Sequence, residues 1–456
     1  MRSPPPRSRD ELLARMDDDG VTRLQLEFTD FIGVSRCRLV TREVLARDGL
    51  PNFPWVNIAH DVSDGEPDPE NMGPGSSTFW LNPDPVTYAP LPFVPGVASV
   101  QCTLLNADGS RYAGCARSLV ADYAGRLESE GLAVAMAFEP EGSVLRQEPD
   151  GRWVYASDTP IFSPERIAEL SVFVDLVIEY SRAMGVPIEK VSAEAGGTME
   201  FNTPPSAPVA ACDRLLQFRA AFKAAARQCG YLGTLVPRAI TDGPICGIHL
   251  HLSMSHADGG RDALVDAATG GWSGTGRDVL SGLITHAAAV TAAGSNSVNS
   301  FKRLVPENSW APAYASWGFG NRSCLVRVVD DPPFLTGQQR AQGVRRLEVR
   351  CADGTCNPYV FAVSVLAAML AGLREHYPLA EGSDADWGRT RPAGEHPAPL
   401  PRTVDEALLA LNSDKVIAGA LGDVLVRGIT RARTAERRAF QSIVTTWEQD
   451  HLFPRY

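Results

Sequence analysis

Along the first hundred residues, hydrophobic and polar positions alternate with a period of two; farther on, a helical period takes over. Residues i and i+2 of a strand share one face, whereas a helix returns to the same face every 3.6 residues. Residues 10–19 (DELLARMDDD) predict a short amphipathic helix. VTRLQLEFTD (21–30) and VSRCRLVT (34–41) predict two strands joined by a turn at Asp30–Gly33, a hairpin. The acidic, Pro- and Gly-rich stretch 60–77 predicts a loop, and after it STFWLNP (77–83) and VASVQCTLLNADG (97–109) predict further strands. A small strand-rich unit therefore ends near Asn106–Gly109. Beyond it the pattern predicts helices at 116–131, 163–184, 212–229, 358–374, 404–411 and 428–449. Strands are predicted at 133–138, 248–254, 325–329 and 345–350. The Gly-rich stretch 255–276 and the Pro/Gly/Asp-rich stretch 381–401 predict long loops, a type that often serves as a lid or an interface arm.

Composition narrows the class. The chain has 456 residues, 44% of them hydrophobic and 21% charged, as in an ordinary globular protein of two to three domains. Its 43 basic and 54 acidic residues leave a net charge of −11. The basic residues are scattered, so nucleic acid and anionic membrane are not expected partners. No apolar run reaches the roughly 18–20 residues that span a bilayer. The N-terminal MRSPPPRSRDELLARM lacks the apolar stretch of a secretory signal and reads as a short disordered lead. Nine cysteines without a CxxC suit neither a disulfide framework nor a zinc site, and point to a reducing cytoplasm.

Candidate chemistry lies in three stretches with the same two-residue spacing. In AVAMAFEPEGSVL, Glu139 and Glu141 lie side by side at the end of an apolar strand. In CGIHLHLSM, His249, His251 and Ser253 share a face opposite Ile248, Leu250 and Leu252. In RRLEVR, Arg346, Glu348 and Arg350 oppose Leu347 and Val349. Each polar row taken alone fits a solvated strand face. Taken together, inward-facing rows of such groups are costly unless paired with one another or with bound cations. VSAEAGGTMEF adds Glu194 and Glu200 around a Gly pair. Several carboxylates with one imidazole suit hard octahedral cations, Mg²⁺ or Mn²⁺, better than zinc. NSFKRLVP (299–306) and WGFGNRSCLVRVV (317–329) bring Arg303, Arg322 and Arg327, fork-shaped cations that hold carboxylates and phosphates. Carboxylates and arginines converging on one place imply phosphoryl transfer.

These segments, in this order, resemble the glutamine synthetase family: FEPEGSVL (138–145), EAGGTMEFN (194–202), GIHLHLS (247–253), NSFKRLVP (299–306), WGFGNRSCLVRV (317–328) and RRLEVRCADGTCNPY (345–359). The resemblance covers nearly the whole chain. It implies an α+β protein with an N-terminal β-grasp domain (1–108) and a C-terminal α/β catalytic domain (109–456) built on a curved antiparallel sheet. It implies a homo-oligomer, a dodecamer of two hexameric rings with active sites between subunits. It implies ATP-dependent formation of a γ-glutamyl phosphate that an amine then attacks. By motif, Glu141, Glu194 and Glu200 resemble ligands of the metal that orders the acid substrate. Glu139, His249 and Glu348 resemble ligands of the metal that bridges ATP phosphates. Arg303 and Arg350 match positions holding the substrate carboxylate and phosphoryl group, and Arg322, Arg327 and Arg346 match positions stabilising phosphate charge. His251 and Ser253 fall where the family approaches the nucleotide.

Four departures bear on the substrates. Thr198 stands where the family usually has Gln before the second Glu of the EAGGTME segment. Pro244, Ile245, Cys246 and Gly247 replace an Asn-Gly-x-Gly loop that ordinarily touches the amino-acid substrate. Trp310 replaces a flap glutamate that binds ammonium, in the run Glu307–Pro312. The small domain's Asp-Gly-Ser-Ser segment is missing, with NFPWVNIAHDV (52–62) roughly in its place. A site without those anions has lost its attraction for a small cation, and an indole offers a stacking surface instead. Such changes resemble the family's amine-ligase branches, the γ-glutamylpolyamine and γ-glutamyl-amide synthetases. The expected activity is therefore glutamate–amine ligation with an organic amine. Ordinary glutamine synthetase and a non-catalytic assembly protein are the alternatives.

Overall fold

The hairpin forms where alternation predicts it, with β1 (Arg23–Thr29) antiparallel to β2 (Ser35–Thr41). The computed structural model describes residues 4–73, 75–258, 260–308, 310–330, 345–388 and 396–456. Residues 1–3 of the lead, Pro74 and Gly259 in two expected loops, Ser309 beside Trp310, and 389–395 of the second long loop lie outside the described residues. After β3 (Asn52–Pro54), β4 (Thr78–Pro83) and β5 (Ala89–Pro90), β6 (Val97–Leu105) returns to lie parallel to β1. The sheet runs β2-β1-β6-β4-β3, with β5 against β6, and the parallel pair at its centre has the β-grasp arrangement. The expected loop 60–77 contains one helical turn, Pro69–Met72.

The second sheet is built on β7 (Leu132–Gln147), which extends well past the expected end at Phe138. Around it lie β8 (Trp153–Tyr155), β9 (Lys190–Ala193), β10 (Thr198–Asn202), β11 (Leu232–Thr234), β12 (Ile248–His256), β13 (Trp317–Phe319), β14 (Val326–Asp330) and β15 (Arg345–Val349). Among the described residues its order is β13-β14-β15-β12-β7-β10-β9, with β8 and β11 also against β7. It is antiparallel apart from the edge pair β13–β14. Helices cover its apolar face, so the protein is α+β.

Helix positions agree with periodicity where the apolar stripe is uninterrupted. The helix expected at 358–374 spans Pro358–Glu375; it is long and apolar enough to cross a membrane, yet 78% of its apolar window is buried in this core. The helix expected at 163–184 is two helices, Pro164–Glu169 and Ser171–Ala183, that meet at Leu170. The helix expected at 428–449 requires correction. Asp414 accepts the N–H groups of Val416 and Ile417 and starts a helix at Lys415 that breaks at Gly422 (φ +77°) and continues to Gln441. A capping box of Thr445 and Glu448 then begins a separate turn, Thr446–His451. Helices Gly274–Thr285 and Ala287–Gly294 fall where no helix was expected: Gly274, Gly276 and Gly282 disguise the first, and the second, mostly Ala, has little amphipathic contrast.

Both sheets share one continuous apolar core, and buried polar contacts bind them. Arg117 makes two bonds to Asp213, at 3.0 and 2.8 Å, and one of 2.7 Å to Asp84, while the Tyr359 hydroxyl donates to Asp213 at 2.5 Å. Asn357 donates to the Asp30 carbonyl at 2.8 Å, and Arg433 to that of Ile32 at 3.1 Å. At this joint Gly33 has φ +93°, and a Cβ there would lie 2.5 Å from the Cys356 carbonyl oxygen. Gly33→Ala therefore carries both a left-handed backbone penalty and a backbone clash. Gly20, at φ +65° after the first helix, has open space around its Cβ position. Urea unfolding is expected to show Gly33→Ala losing about 3 kcal/mol or more and Gly20→Ala only about 1 kcal/mol. Equal losses would contradict this docking.

Candidate active site

The candidate residues gather where β7 changes partners. β12 follows β7 as far as Ile248 opposite Pro140, and β10 then takes over with Glu200 opposite Glu141. Proline has no N–H to give a ladder, so its position at this hand-over costs no strand hydrogen bond. The next N–H, that of Glu141, reaches the Gly247 carbonyl at 3.0 Å. Glu139 and Glu141, two residues apart, share a face; Glu139 stands beside the β12 histidines and Glu141 beside β10.

His249 sits between the two glutamates. Its Nδ1 is 3.1 Å from Glu139 Oε2 and 3.4 Å from Glu348 Oε1, and its Nε2 is 3.9 Å from Glu141 Oε1. His251 joins the same cluster with Nε2 3.4 Å from Glu139, although the motif placed it on the nucleotide side. Glu139, His251 and Glu348 each offer a donor atom within 4.8 Å of the others. At that spacing two carboxylates repel by roughly 3 kcal/mol in a partly buried setting. Glu348 is fully buried, and both Arg327 (2.7 Å) and Arg350 donate to it. Asn202, which sequence reasoning missed, donates to Glu139.

Charge crowding perturbs the acids in opposite directions. Burial raises the Glu348 carboxyl, but Arg350, His249, His251 and Arg327 outweigh it and bring it down to about 2. Glu139 is likewise buried yet held low by hydrogen bonds from the two histidines. Burial and the Arg350 charge lower His249 to about 4. Glu141 is pushed up to about 7 by burial, against the pull of the Gly247 N–H, Arg303 and Arg350. Glu200 is pushed up to about 9 by burial and then by the charges of Glu139, Glu141, Glu194 and Glu348. Burial and Glu139 also raise Glu194. One side of the cluster is thus ion-paired with arginines, and the other feels arginines only at longer range, with no arginine ion pair among the described residues.

Glu194 is set by a turn that its sequence neighbours dictate. Gly196 and Gly197 have φ of +52° and +85°, which folds the chain so that the Glu194 N–H reaches the Thr198 carbonyl at 2.9 Å. From outside, fully buried Arg166 donates to the Glu194 carbonyl and to Thr159. Its sequence signal was hidden inside a helical pattern, PERIAE.

The arginines divide into spent and available groups. Arg303 is 1% exposed and donates to the carbonyls of Arg350 (2.8 Å) and Cys351 (3.1 Å). Arg350 donates to Glu348, to the Arg322 carbonyl at 3.0 Å and to the Trp310 carbonyl at 3.1 Å. Both were expected to hold the substrate carboxylate and phosphoryl group, and in this structure part of their N–H groups also bind the protein itself. The Arg322 side chain is exposed, close enough to feel Glu348 and Glu139 electrostatically. Trp310 is 63% exposed. His251, Ser253 and Arg346 line a pocket of about 370 Å³ with Glu139, Lys190, Asn202 and Thr203.

The donor set fits a hard divalent cation. Carboxylates and imidazole lie at ligand spacing, Glu141, Glu194 and Glu200 are short of positive charge, and the buried His251 Nδ1 has no hydrogen-bond partner. The groups that could hold one are Glu139, His249, His251 and Glu348 on one side and Glu141, Glu194 and Glu200 on the other.

Raised acids have a measurable consequence. Between pH 7 and 9 the folded chain holds protons on Glu200, and in part on Glu141, that the unfolded chain has released. Stability in chelator is therefore expected to fall as pH rises across that window, by on the order of 2 kcal/mol. Thermal unfolding in chelator should show this decline for the wild type and a flatter profile for Glu200→Gln. Stability rising with pH from 7 to 9 would contradict the electrostatic picture.

Comparison with known proteins shows the family. Residues 113–452 match the family model described as glutamine synthetase, catalytic domain. The chain is 29% identical to a glutamine synthetase of Halobacterium salinarum, over 98% of this chain and 96% of that one. It is 28% identical to a gamma-glutamylpolyamine synthetase of Streptomyces coelicolor, over 95% and 93%, and 28% identical to a glutamate–methylamine ligase of Methyloversatilis universalis, over 80% and 82%. A solved complex of GmaS with ADP superposes with a TM-score of 0.83 at 25% identity, covering 96% of this chain and 98% of that one. With three quarters of its length under one family model and that family's motifs converging on one cluster, the chain belongs to the glutamine synthetase family of ATP-dependent carbon–nitrogen ligases.

Proposed function

We propose that the protein joins the side-chain carboxylate of glutamate, or of a similar acid, to an organic amine. The observation that carries this reading is Trp310. An exposed indole, 63% accessible, stands where the family motif places an ammonium-binding glutamate, while the metal-type and arginine residues are all retained. The printed functions of the gamma-glutamylpolyamine synthetase and the glutamate–methylamine ligase support the same direction.

In the first step the acid's carboxylate oxygen attacks the γ-phosphorus of ATP. An acyl phosphate forms and ADP leaves. Glu141, Glu194 and Glu200 would hold one divalent cation, Mg²⁺ or Mn²⁺, beside the acid; Glu139, His249 and Glu348 would hold a second beside the phosphates. Such cations neutralise the charge on the transferring group. His251, Ser253 and Arg346 line the pocket assigned to the nucleotide, with Arg327 adding positive charge beside it. Arg322, whose exposed head is near enough to feel Glu348 and Glu139, would meet the phosphoryl oxygens. Arg303 and Arg350 would hold the acid's carboxylate and the phosphoryl group, as the motif implies, and Arg350 also ties Glu348, Arg322 and the Trp310 segment together. In the second step the amine nitrogen attacks the acyl carbon. The C–N bond forms, the C–O bond to phosphate breaks, and phosphate leaves as the nitrogen loses a proton. Rate is gained by alignment and exclusion of water.

The same reading places the enzyme in the cytoplasm, supported by nine cysteines with no disulfide among the described residues. It also takes the family's dodecamer of two hexameric rings as the working assembly. Ammonia as the acceptor is the second reading, favoured by the haloarchaeal relative named a glutamine synthetase.

Incubation with ATP, Mg²⁺, glutamate and a panel of amines, read by ADP release and product mass, separates the two. Amide products with organic amines, and ammonium at least about tenfold poorer in kcat/KM, are expected. Efficient turnover of ammonium at millimolar concentration, unimproved by Trp310→Glu, would establish the ammonia reading instead. Folded protein that does not bind ATP with Mg²⁺ would indicate a non-catalytic assembly protein.

A further inference from the structure

Beside the carboxylate cluster lies a second recess, of about 400 Å³, lined by Trp310, Phe319, Asn321, Arg322 and Asp384. Its walls come from three chain segments fastened to one another. Arg350 holds the Trp310 and Arg322 carbonyls at 3.1 and 3.0 Å while also bonding Glu348. Asn321 donates to the carbonyls of Ser383 (2.8 Å) and Ala385 (3.1 Å), which fixes the residue between them, Asp384. The Ser383 N–H in turn reaches the Trp317 carbonyl at 2.8 Å. Phe319 packs its inner side against Trp272 and Trp317, with ring centroids 5.9 and 5.8 Å away, yet remains 47% exposed.

The recess therefore presents two aromatic surfaces and one carboxylate on a rigid frame. The Asp384 side chain makes no hydrogen bond or ion pair with the described residues and is exposed. Arg322 marks the end nearer the reacting groups, because its charge is felt by Glu139, Glu348 and Glu194. Asp384 lies in the same recess with no basic partner among the described residues. Aromatic faces beside an unpaired carboxylate recognise an alkylammonium group: the rings attract the cation and cover its methylenes, and the carboxylate supplies the counter-charge.

Building on the amine-ligase reading above, we propose that this recess is the acceptor subsite and that its preferred occupant is an aliphatic diamine. One nitrogen, as the free amine, faces the acyl group; the other, as the ammonium, lies against Asp384 with the methylenes over Trp310 and Phe319. The recess then selects for the second charge, which neither ammonia nor a simple monoamine carries.

The test compares 1,4-diaminobutane with n-butylamine, which matches it in length but lacks the distal nitrogen. Wild type is expected to favour the diamine at least tenfold in kcat/KM. Asp384→Asn should reduce that preference by tenfold or more, mainly through KM for the diamine, with KM for ATP within twofold. Asp384→Glu should recover most of the preference. Trp310→Ala should raise KM for both amines. Wild type that uses both amines equally, or an Asp384→Asn variant with unchanged preference, would overturn this subsite while leaving the amine-ligase reading intact. Turnover of ammonium with neither amine accepted would overturn both.

Discussion

Five carboxylates, Glu139, Glu141, Glu194, Glu200 and Glu348, are held within one cleft of a folded chain, and their mutual repulsion is the constraint around which the rest is arranged. Part of it is relieved internally. Arg327, Arg350 and two histidines stabilise the charged forms of Glu348 and Glu139. The other part is not, since Glu141 and Glu200 are raised to about 7 and 9. A structure optimised for stability alone would replace such a cluster with apolar residues. Keeping it makes sense only if a cation completes it.

That cluster depends on one backbone event, the change of β7 from β12 to β10 at Pro140. Two glutamates two residues apart face two different partner strands as a result, and His249 bridges them. The surrounding framework then transmits position outward. Arg166 secures the Glu194 turn from the buried side. Arg350 couples Glu348 to both the Arg322 turn and the Trp310 segment, so the metal-type centre and the proposed acceptor recess share one guanidinium. A conservative change to lysine at position 350 could not reproduce three divergent contacts.

Much of this was legible in the sequence, and the rest was not for identifiable reasons. The two-residue spacing placed Glu139/Glu141, His249/His251/Ser253 and Arg346/Glu348/Arg350 on common faces, because pleating makes that a local rule. The ends of elements were less readable. Pro140 and Gly142 hid the second half of β7, and Gly419, Gly422 and Gly428 hid the start of the helix at Lys415, which Asp414 caps. The expected substrate-facing roles of Arg303 and Arg350 did not anticipate that carbonyls would occupy their N–H groups. Arg166 and Asp384 lie outside the motifs, and Asn202 ends one without a role assigned to it; tertiary contacts, across 28 residues for Arg166 and Glu194 and 63 for Asn202 and Glu139, bring Arg166 and Asn202 to the site. His251 shows the limit of motif transfer, since its ring joins the carboxylate cluster and also lines the neighbouring pocket.

In the proposed reaction, chemistry belongs to the shared cluster and selectivity to the recess beside it. The central claim is that the two halves of the cluster trap a pair of divalent cations. Anomalous diffraction from crystals grown with Mn²⁺ and ADP tests this most directly. Two manganese peaks are predicted, one coordinated by Glu139 and Glu348 with imidazole and one by Glu141, Glu194 and Glu200. No manganese in the cleft, or manganese bound only at surface carboxylates, would contradict the account.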